Sequence, residues 1–544
     1  MRWYRGYIVR PLKKIRGRIF YLSSERRFAP MALKIIILLA FFTVMVCVGL
    51  YCRKHATDVN GFVLGGRSVG PWLTAFAYGT SYFSAVIFVG YAGQFGWKFG
   101  IASTWIGLGN AIIGSLLAWV ILGRRTRVMT QHLSSATMPD FFGKRFDSNA
   151  LKIVASALIF IFLIPYTASL YNGLSRLFEM AFGIDYSICV IVMAVLTGIY
   201  VIAGGYMATA MNDFIQGIIM LFGIVAVIAA VLHAQGGFMS ALSNLAAVSD
   251  PATSDIPGVF NSFFGPDPFG LLCVVILTSL GTWGLPQMVQ KFYAIKSEQS
   301  IAKGTIISTL FATVVAGGCY FLGGFGRLFS TPEKVAETGF DALIPTMLEN
   351  LPTIIIAVVV VLVLSASMST LSSLVLTSSS TLTLDFLKNT VAKNMSEKTQ
   401  LITMRALIVV FIGISVVIAI VQYKSNVTFI AQLMGISWGA LAGAFLAPFL
   451  YGLYLKRTSK AAVWFCFIFG AGLLTANLLF RPSFPVLLQS PINCGAFAMI
   501  VGLIVVPIIS LFTKAPKKEV VDDAFSSYEE TVTVKVKTSL KDNN

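Results

Sequence analysis

The sequence predicts an all-α polytopic membrane protein from its composition, its apolar runs and the placement of its charges. Of the 544 residues, 56% are hydrophobic and only 12% are charged, whereas soluble proteins average about 25% charged. Runs of about 20 apolar residues, long enough to cross a bilayer as a helix, recur along the whole chain. Basic residues give a net charge of +18 but stand mainly in short segments between these runs, which favours a membrane protein over a nucleic-acid binder.

Thirteen apolar runs are long enough to be transmembrane helices, and the charges between them predict the orientation. With the N-terminus outside, the cytoplasmic segments carry 19 Lys or Arg residues and the outside loops carry six. Because cytoplasmic loops are enriched in basic residues, we expect a multi-pass plasma (inner) membrane protein with the N-terminus outside and the C-terminus in the cytoplasm. The predicted helices are residues 33–52, 71–93, 101–122, 151–173, 186–204, 211–232, 268–289, 303–325, 353–383, 403–422, 427–455, 461–480 and 493–513. The predicted cytoplasmic segments are residues 53–70, 123–152, 290–303, 386–405 and 456–460.

The two ends of the chain differ in composition from its middle. Residues 1–30 carry nine Lys or Arg residues, which contradicts an outside N-terminus, so we expect a disordered or non-native extension with Met31 as the natural start. A basic arm on the membrane surface is the alternative. Residues 31–60 hold an additional first helix and its loop, and residues 459–513 hold two C-terminal helices. Residues 514–544 are charged and poor in aromatic residues, which predicts a disordered cytoplasmic tail.

Two of the apolar runs contain helix-breaking residues in their middle or inner half. Gly79 lies in the second run, and Gly281, Gly284 and Pro286 lie in the seventh. Gly and Pro loosen the helical hydrogen bonds, and at membrane depth the freed carbonyls must find protein, water or an ion. The interruptions stand about 200 residues and five runs apart, which predicts two inverted five-helix repeats of a transporter with its substrate near the midplane. The alternative is a pair of kinks used for packing.

The ninth apolar run carries an unusual density of hydroxyl side chains. Eleven of the 17 residues from Ser365 to Thr381 are Ser or Thr. Ala366, Ser369, Thr370 and Ser373 are spaced at i, i+3, i+4 and i+7, which places them on one face of a helix. Oxygen atoms on one face of a membrane helix can replace the water around a small hard cation, so this stripe predicts cation-coupled transport.

Asp213 is almost the only carboxylate near an apolar run that is not plainly in a loop. It is either an acid that caps a helix N-terminus at the cytoplasmic interface or a carboxylate on an ion pathway. Its position leaves both interpretations open. The seven Cys residues show no C-x-x-C spacing and the three His residues are scattered, so we expect neither an enzyme nor an organic cofactor.

Six separate segments, in order, resemble those of the sodium:solute symporter family. One of them contains Gly204, Gly205, Asp213 and Gln216, which match a G-G…D-x-x-Q pattern. The resemblance covers residues 61–458 and implies a LeuT-type fold with two inverted repeats. The segments are residues 62–71, 138–146, 204–216, 286–296, 366–373 and 435–457.

The resemblance also implies where sodium binds. A first Na+ site would use the backbone carbonyls of Thr80, Phe83 and Ala366 together with the hydroxyls of Ser369 and Thr370. Some members hold a second Na+ ion, and the matching residues form a second set that is either an Na+ site or an exit path, with Ser369 shared. The second set is Asp213, Ser372 and Ser373.

Within the family the chain most resembles the sodium/proline symporter-like branch. Tyr166 and Pro286 match positions of its solute site, and Ser84 also fits. Tyr82 stands where the branch has an aspartate, and Thr282 stands where it has an aromatic residue, which Trp283 would replace in part.

The resemblance implies symport of a small organic solute with one or two Na+ ions by alternating access. The expected solute is an amino acid such as proline or another small carboxylate, and pantothenate, sialic acid or a sugar are alternatives. A membrane sensor built on the same fold is a further alternative. The expected partners are the solute and the lipid bilayer, with no nucleic acid and no obligate protein partner.

Overall fold

The computed structural model describes residue 32 and residues 34–349, 351–425 and 430–529. These residues form helices and contain no β-strand. The predicted basic extension at residues 1–30 lies outside the described residues, as do residues 530–544 of the predicted tail.

Ten helices of the described chain are long and apolar enough to cross a membrane, or up to eleven if one bent pair is counted as a span. The bent pair is Pro268–Trp283 and Pro286–Ala294, with an angle of 41°. The ten helices are Lys34–Cys52, Val86–His132, Asn149–Phe182, Tyr186–Ala234, Glu298–Leu328, Thr353–Thr390, Glu397–Lys424, Ile430–Tyr454, Lys460–Ser483 and Pro491–Phe512. Shorter helices lie between them at Val59–Leu64, Met138–Arg145, Phe238–Ala246, Pro332–Thr338 and Leu343–Leu348.

Both helix interruptions predicted from Gly and Pro are confirmed. The first broken helix consists of Pro71–Tyr82 and residues 86–99, and Phe83 between them is extended, with φ −98° and ψ 112°. The second broken helix is the bent pair, and Leu285 at its break is extended, with φ −84° and ψ 120°. Pro286 opens the second half because its fixed φ suits the first turn and its missing N–H is not needed there.

A glycine divides the longest helix, Tyr186–Ala234, at the boundary between two predicted spans. Gly205 has φ +54° and ψ −144°, a backbone conformation open mainly to glycine. A Cβ atom at this position would lie 2.7 Å from the carbonyl oxygen of Phe62. The residues on either side therefore form two helices that meet at Gly205.

Two helices form the interior of the bundle. One is Thr353–Thr381, here called the hydroxyl helix, and the other is Ile430–Tyr454, here called the tryptophan helix after Trp438. Their most apolar stretches are 83% and 89% buried, against 22% for Lys34–Cys52 at the periphery. The hydroxyl helix packs on Tyr186–Ala234, Asn149–Phe182 and Pro71–Tyr82, so its hydroxyl groups face protein rather than lipid.

The expectation of a disordered tail from residue 514 is wrong for residues 518–529. Lys518–Ser526 is a helix that buries Val521, Ala524 and Phe525. Tyr528 donates a hydrogen bond to the carbonyl of Leu453 at 2.9 Å, and the guanidinium of Arg145 lies 5.0 Å from the centre of the Phe525 ring. The charged composition concealed an apolar stripe with helical spacing, which docks on the ends of the membrane helices.

Close helix contact at Gly96 gives a test of the packing. A Cβ atom there would lie 1.9 Å from the carbonyl oxygen of Gly323. We expect Gly96→Ala to lower the melting temperature of the purified protein, because relieving such a clash costs about 1–3 kcal/mol or more. Gly413→Ala is the control, since a Cβ atom at Gly413 meets nothing within 4 Å. Equal melting temperatures for the two variants would contradict this packing.

Candidate functional site

Four oxygen atoms meet where the first half of the first broken helix ends. Because a helix end leaves its last carbonyls without helical donors, the carbonyl of Thr80 is available to other groups. The hydroxyl of Ser369 donates to it at 2.8 Å and that of Thr370 donates to it at 3.3 Å. Thr370 also donates to the carbonyl of Ala366 at 3.1 Å, and Ser369 lies 3.5 Å from the same oxygen.

This cluster has the chemistry of a site for a small hard cation. Its members Thr80, Ala366, Ser369 and Thr370 are at most 2% exposed and all present neutral oxygen atoms. Hard cations prefer oxygen ligands of this kind. Phe83, the fifth predicted member, is the extended residue at the break, so its carbonyl points away from the helical direction. The structure thus brings together four of the five predicted groups and places the fifth beside them.

The second predicted set is Asp213, Ser372 and Ser373. In the structure, two of its members contact a lysine that was not among the predicted site residues. Lys291 lies in Pro286–Ala294, and its Nζ atom lies 3.6 Å from Oδ2 of Asp213. The same ammonium donates a hydrogen bond to Oγ of Ser373 at 2.9 Å. Ser373 in turn lies 2.8 Å from the hydroxyl of Ser81. Ser372 does not join them, because it donates to the carbonyl of Ser369 in its own helix at 2.8 Å.

Asp213 and Lys291 form a buried ion pair. Asp213 is 0% exposed and Lys291 is 2% exposed. Asp213 lies within its helix rather than at an N-terminus, which removes the capping interpretation. The sequence analysis counted Lys291 among the basic residues of a cytoplasmic loop. Its position five residues after Pro286, with apolar residues following, was the available signal.

Three aromatic side chains lie next to the four oxygen-bearing residues Thr80, Ala366, Ser369 and Thr370, here called the cation cluster. The ring of Trp438 lies 6.0 Å from that of Tyr82 and 5.9 Å from that of Tyr166, with the second pair at 89°. The hydroxyls of Ser84 and Tyr166 and the indole N–H of Trp438 are buried next to one another, and none of the three makes a hydrogen bond of normal geometry among the described residues. Since buried polar groups are nearly always hydrogen-bonded, these three point to a ligand. Trp438 lies in the family-like segment 435–457 but was not among the predicted site residues.

The remaining predicted solute-binding residues lie in the second broken helix and have structural roles there. Thr282 donates to the carbonyls of Ser279 and Gly114, at 2.9 and 3.2 Å, and the indole of Trp283 donates to Ile113 at 3.0 Å. Pro286 begins the second half of that helix. Among the described residues, no hydrogen bond or aromatic ring contact joins Thr282, Trp283 or Pro286 to Tyr166 or Trp438, although Gly281–Trp283 packs on the tryptophan helix.

One hydrogen bond ties the two broken helices together. The hydroxyl of Tyr82 donates to the carbonyl of Thr278 at 2.5 Å. Gly281 faces the tryptophan helix, where a Cβ atom would lie 3.5 Å from the Trp438 ring. Tyr82, Tyr166 and Trp438 are here called the aromatic group. This group is therefore enclosed by the first broken helix, the second broken helix and the tryptophan helix.

A cleft of about 730 Å³ opens near one end of Asn149–Phe182. Its lining includes Trp97, Asn172 and the short helix Pro332–Thr338. Asn172 follows Tyr166 by six residues, or about 9 Å along a helix. The cleft therefore ends within two helical turns of the aromatic group.

A second polar network closes the other end of the hydroxyl helix. Thr137 donates to Oδ2 of Asp385 at 2.5 Å, and the ammonium of Lys152 lies 3.5 Å from Oδ1 of the same carboxylate. Lys152 also pairs with Asp140 at 2.8 Å. These contacts join the end of the hydroxyl helix to Met138–Arg145 and Asn149–Phe182.

Comparison with known proteins identifies the family. The sequence profile of the sodium:solute symporter family matches residues 62–470. The chain belongs to the sodium:solute symporter family. The osmoregulated proline transporter of Bacillus subtilis is 30% identical over 504 residues, covering 90% of this chain and 96% of that protein. A sodium/proline symporter of Staphylococcus aureus is 30% identical over 436 residues, covering 78% of this chain and 82% of that protein.

A solved structure with the same fold supports this assignment. A Na+-coupled sialic acid symporter in a substrate-bound, outward-open state matches with a TM-score of 0.69 over 89% of this chain and 99% of that chain. The sequence identity is 17%, so the match concerns the fold alone. The chain therefore shares the predominantly helical fold of that symporter. The chain is an integral membrane transporter of a family that couples solute movement to Na+.

The buried ion pair gives a prediction about stability. Asp213→Asn and Lys291→Met each leave one buried charge without its partner, which costs about 3–5 kcal/mol. We expect each single variant to melt at a lower temperature than the parent, and the double variant to recover most of the loss. Thermal unfolding of the four purified proteins measures this coupling. Additive losses in the double variant would show that the two charges do not interact.

Proposed function

We propose that this transporter imports a small organic solute, an amino acid such as proline or another small carboxylate, by symport with Na+ through alternating access. The convergence of two backbone carbonyls and two hydroxyls between the first broken helix and the hydroxyl helix carries this proposal. The relatives at 30% identity whose names contain proline support the class of solute.

In this proposal, Na+ binds to the carbonyls of Thr80, Phe83 and Ala366 and to the hydroxyls of Ser369 and Thr370. Neutral ligands leave the positive charge of the ion uncompensated, so the membrane potential drives it inward with the solute. One charge that crosses 100 mV releases about 2.3 kcal/mol, enough for about 50-fold accumulation of a neutral solute. Asp213 and Ser373 line the second position, whereas the hydroxyl of Ser372 is bonded within its own helix.

The architecture that we propose has thirteen transmembrane helices, with two inverted five-helix repeats within residues 61–458. Dividing Tyr186–Ala234 at Gly205 and Val86–His132 at Gly100, where φ is +61°, raises the count from eleven to thirteen. The two broken helices then open the two repeats. The excess of basic residues on one side, 18 against six once the buried Lys291 is left out of the 19, supports a cytoplasmic C-terminus and an outside cleft.

The solute would lie between Tyr82, Ser84, Tyr166 and Trp438. The hydroxyls of Ser84 and Tyr166 and the indole of Trp438 are three neighbouring buried donors with no hydrogen bond of normal geometry to the protein, which suits a carboxylate acceptor. The aromatic faces suit an apolar ring or chain. Thr282, Trp283 and Pro286 belong to the second broken helix, which forms the opposite wall of the proposed solute site.

The test is uptake of radiolabelled solutes into proteoliposomes, with the Na+ gradient, membrane potential and pH varied separately. The panel contains proline, other amino acids, pantothenate, sialic acid and a sugar. We expect accumulation of a small carboxylate that requires inward Na+. Accumulation driven by a proton gradient and indifferent to Na+ would contradict the proposal. Solute binding without any transport would favour a sensor.

Removing one sodium ligand should weaken the binding of Na+ without preventing the protein from folding. Because each substitution deletes one ligand, we expect Ser369→Ala and Thr370→Ala to raise the half-saturating Na+ concentration about tenfold, which corresponds to about 1.4 kcal/mol. Ser367→Ala is the control, because that hydroxyl donates to the carbonyl of Val363 in its own helix. Unchanged Na+ dependence in both test variants would exclude this site.

The aromatic group makes a separate prediction about the solute. Trp438→Phe and Tyr166→Phe each remove one donor, and a hydrogen bond to a charged group contributes about 1.5–3 kcal/mol. We expect half-saturating solute concentrations to rise at least tenfold in uptake assays. Phe160→Leu is the control, since this residue of the same helix packs on Phe411. Equal effects in all three variants would place the solute elsewhere.

A further inference from the structure

We propose that the ammonium of Lys291 is a tethered cation that occupies the second cation position, so that each solute is coupled to one Na+ ion rather than two. This inference rests on the proposed symport function and fixes its stoichiometry. It concerns the oxygen atoms of Asp213 and Ser373, which the sequence analysis assigned either to a second Na+ ion or to an exit path.

The first argument is geometric. The Nζ atom of Lys291 lies 3.6 Å from Oδ2 of Asp213 and 2.9 Å from Oγ of Ser373. The ammonium therefore hydrogen-bonds one oxygen atom that a second Na+ ion would need and forms an ion pair, beyond hydrogen-bond distance, with a second. Ser373 also shares a hydrogen bond with Ser81, at 2.8 Å, so this serine already has two polar partners.

The second argument is electrostatic. Asp213 carries one negative charge, is 0% exposed and is matched by one ammonium that is 2% exposed. Adding Na+ beside this pair would place two positive charges against one carboxylate, away from water. Isolated charges are strongly disfavoured in such surroundings, so the lysine and a second Na+ ion exclude each other.

The third argument links the pair to the first Na+ site. Ser373 follows Ser369 by four residues, or about 6 Å along a helix, and Ser81 directly follows Thr80. The ammonium is thus about one helical turn from the Na+ ligands. Asp213 cancels its charge, which allows neutral oxygens to hold Na+ nearby. Asp213→Asn alone would leave an unmatched positive charge next to this site.

The decisive experiment counts Na+ ions per solute in proteoliposomes with doubly labelled substrates. The variants are Lys291→Arg, which keeps a cation, and Lys291→Met, which removes it, with Lys303→Met as an exposed control. We expect a ratio of one for the parent, the arginine variant and the control, and a ratio of two for Lys291→Met. At 100 mV the accumulation limit would then rise from about 50-fold to about 2,500-fold. A ratio of two in the parent, or of one in an active Lys291→Met variant, would overturn the proposal.

Direct Na+ binding to the purified proteins covers the case in which Lys291→Met does not transport. We expect one bound ion in the parent and two in Lys291→Met. Asp213→Asn should raise the half-saturating Na+ concentration at least tenfold, and Asp213→Asn combined with Lys291→Met should return it to within about threefold of the parent. Two ions in the parent, or no recovery in the double variant, would refute the role of Lys291. Parent protein that binds one Na+ ion but moves no solute would instead contradict the proposed function alone.

Discussion

The backbone carbonyl of Thr80 is released at the first helix break and needs a new partner. This need determines how the centre of the protein is packed. In a membrane interior, a carbonyl released by a helix break must be satisfied by protein, water or an ion. Here the partners are the hydroxyls of Ser369 and Thr370, at 2.8 and 3.3 Å. This requirement explains why the hydroxyl helix lies in the interior and why it packs directly on the first broken helix. The same released carbonyl is what makes the location suitable for a cation.

The charged residues lie apart from the oxygen atoms that would coordinate the cation. The cation cluster contains neutral oxygens only, whereas the charged residues Asp213 and Lys291 compensate each other about one helical turn away. The network of Asp385, Lys152 and Asp140 closes the far end of the same helix. Ion binding, charge balance and closure therefore lie in sequence along a single helix.

The sequence predicted the features that depend on local chemistry. Pro286 located the second helix break, and Gly79 marked the first to within four residues, since the break is at Phe83. The spacing of Ser369 and Thr370 located the hydroxyl face. It could not predict which distant residues meet: Trp438 approaches Tyr166 only because the tryptophan helix packs against Asn149–Phe182. A count of basic residues assigned Lys291 to a loop because it cannot see burial. The tail helix was missed because charged composition outweighed its short apolar stripe.

The central claim is that carbonyls and hydroxyls between these two helices bind Na+ selectively. Its most direct test is the melting temperature of the purified protein as NaCl replaces KCl at constant ionic strength, without solute. A bound ion stabilises the folded state by mass action, so the account predicts a melting temperature that rises with Na+ concentration. The rise should disappear when Ser369 and Thr370 are both replaced by alanine. Equal melting temperatures in NaCl and KCl, or a rise that survives both replacements, would contradict the account.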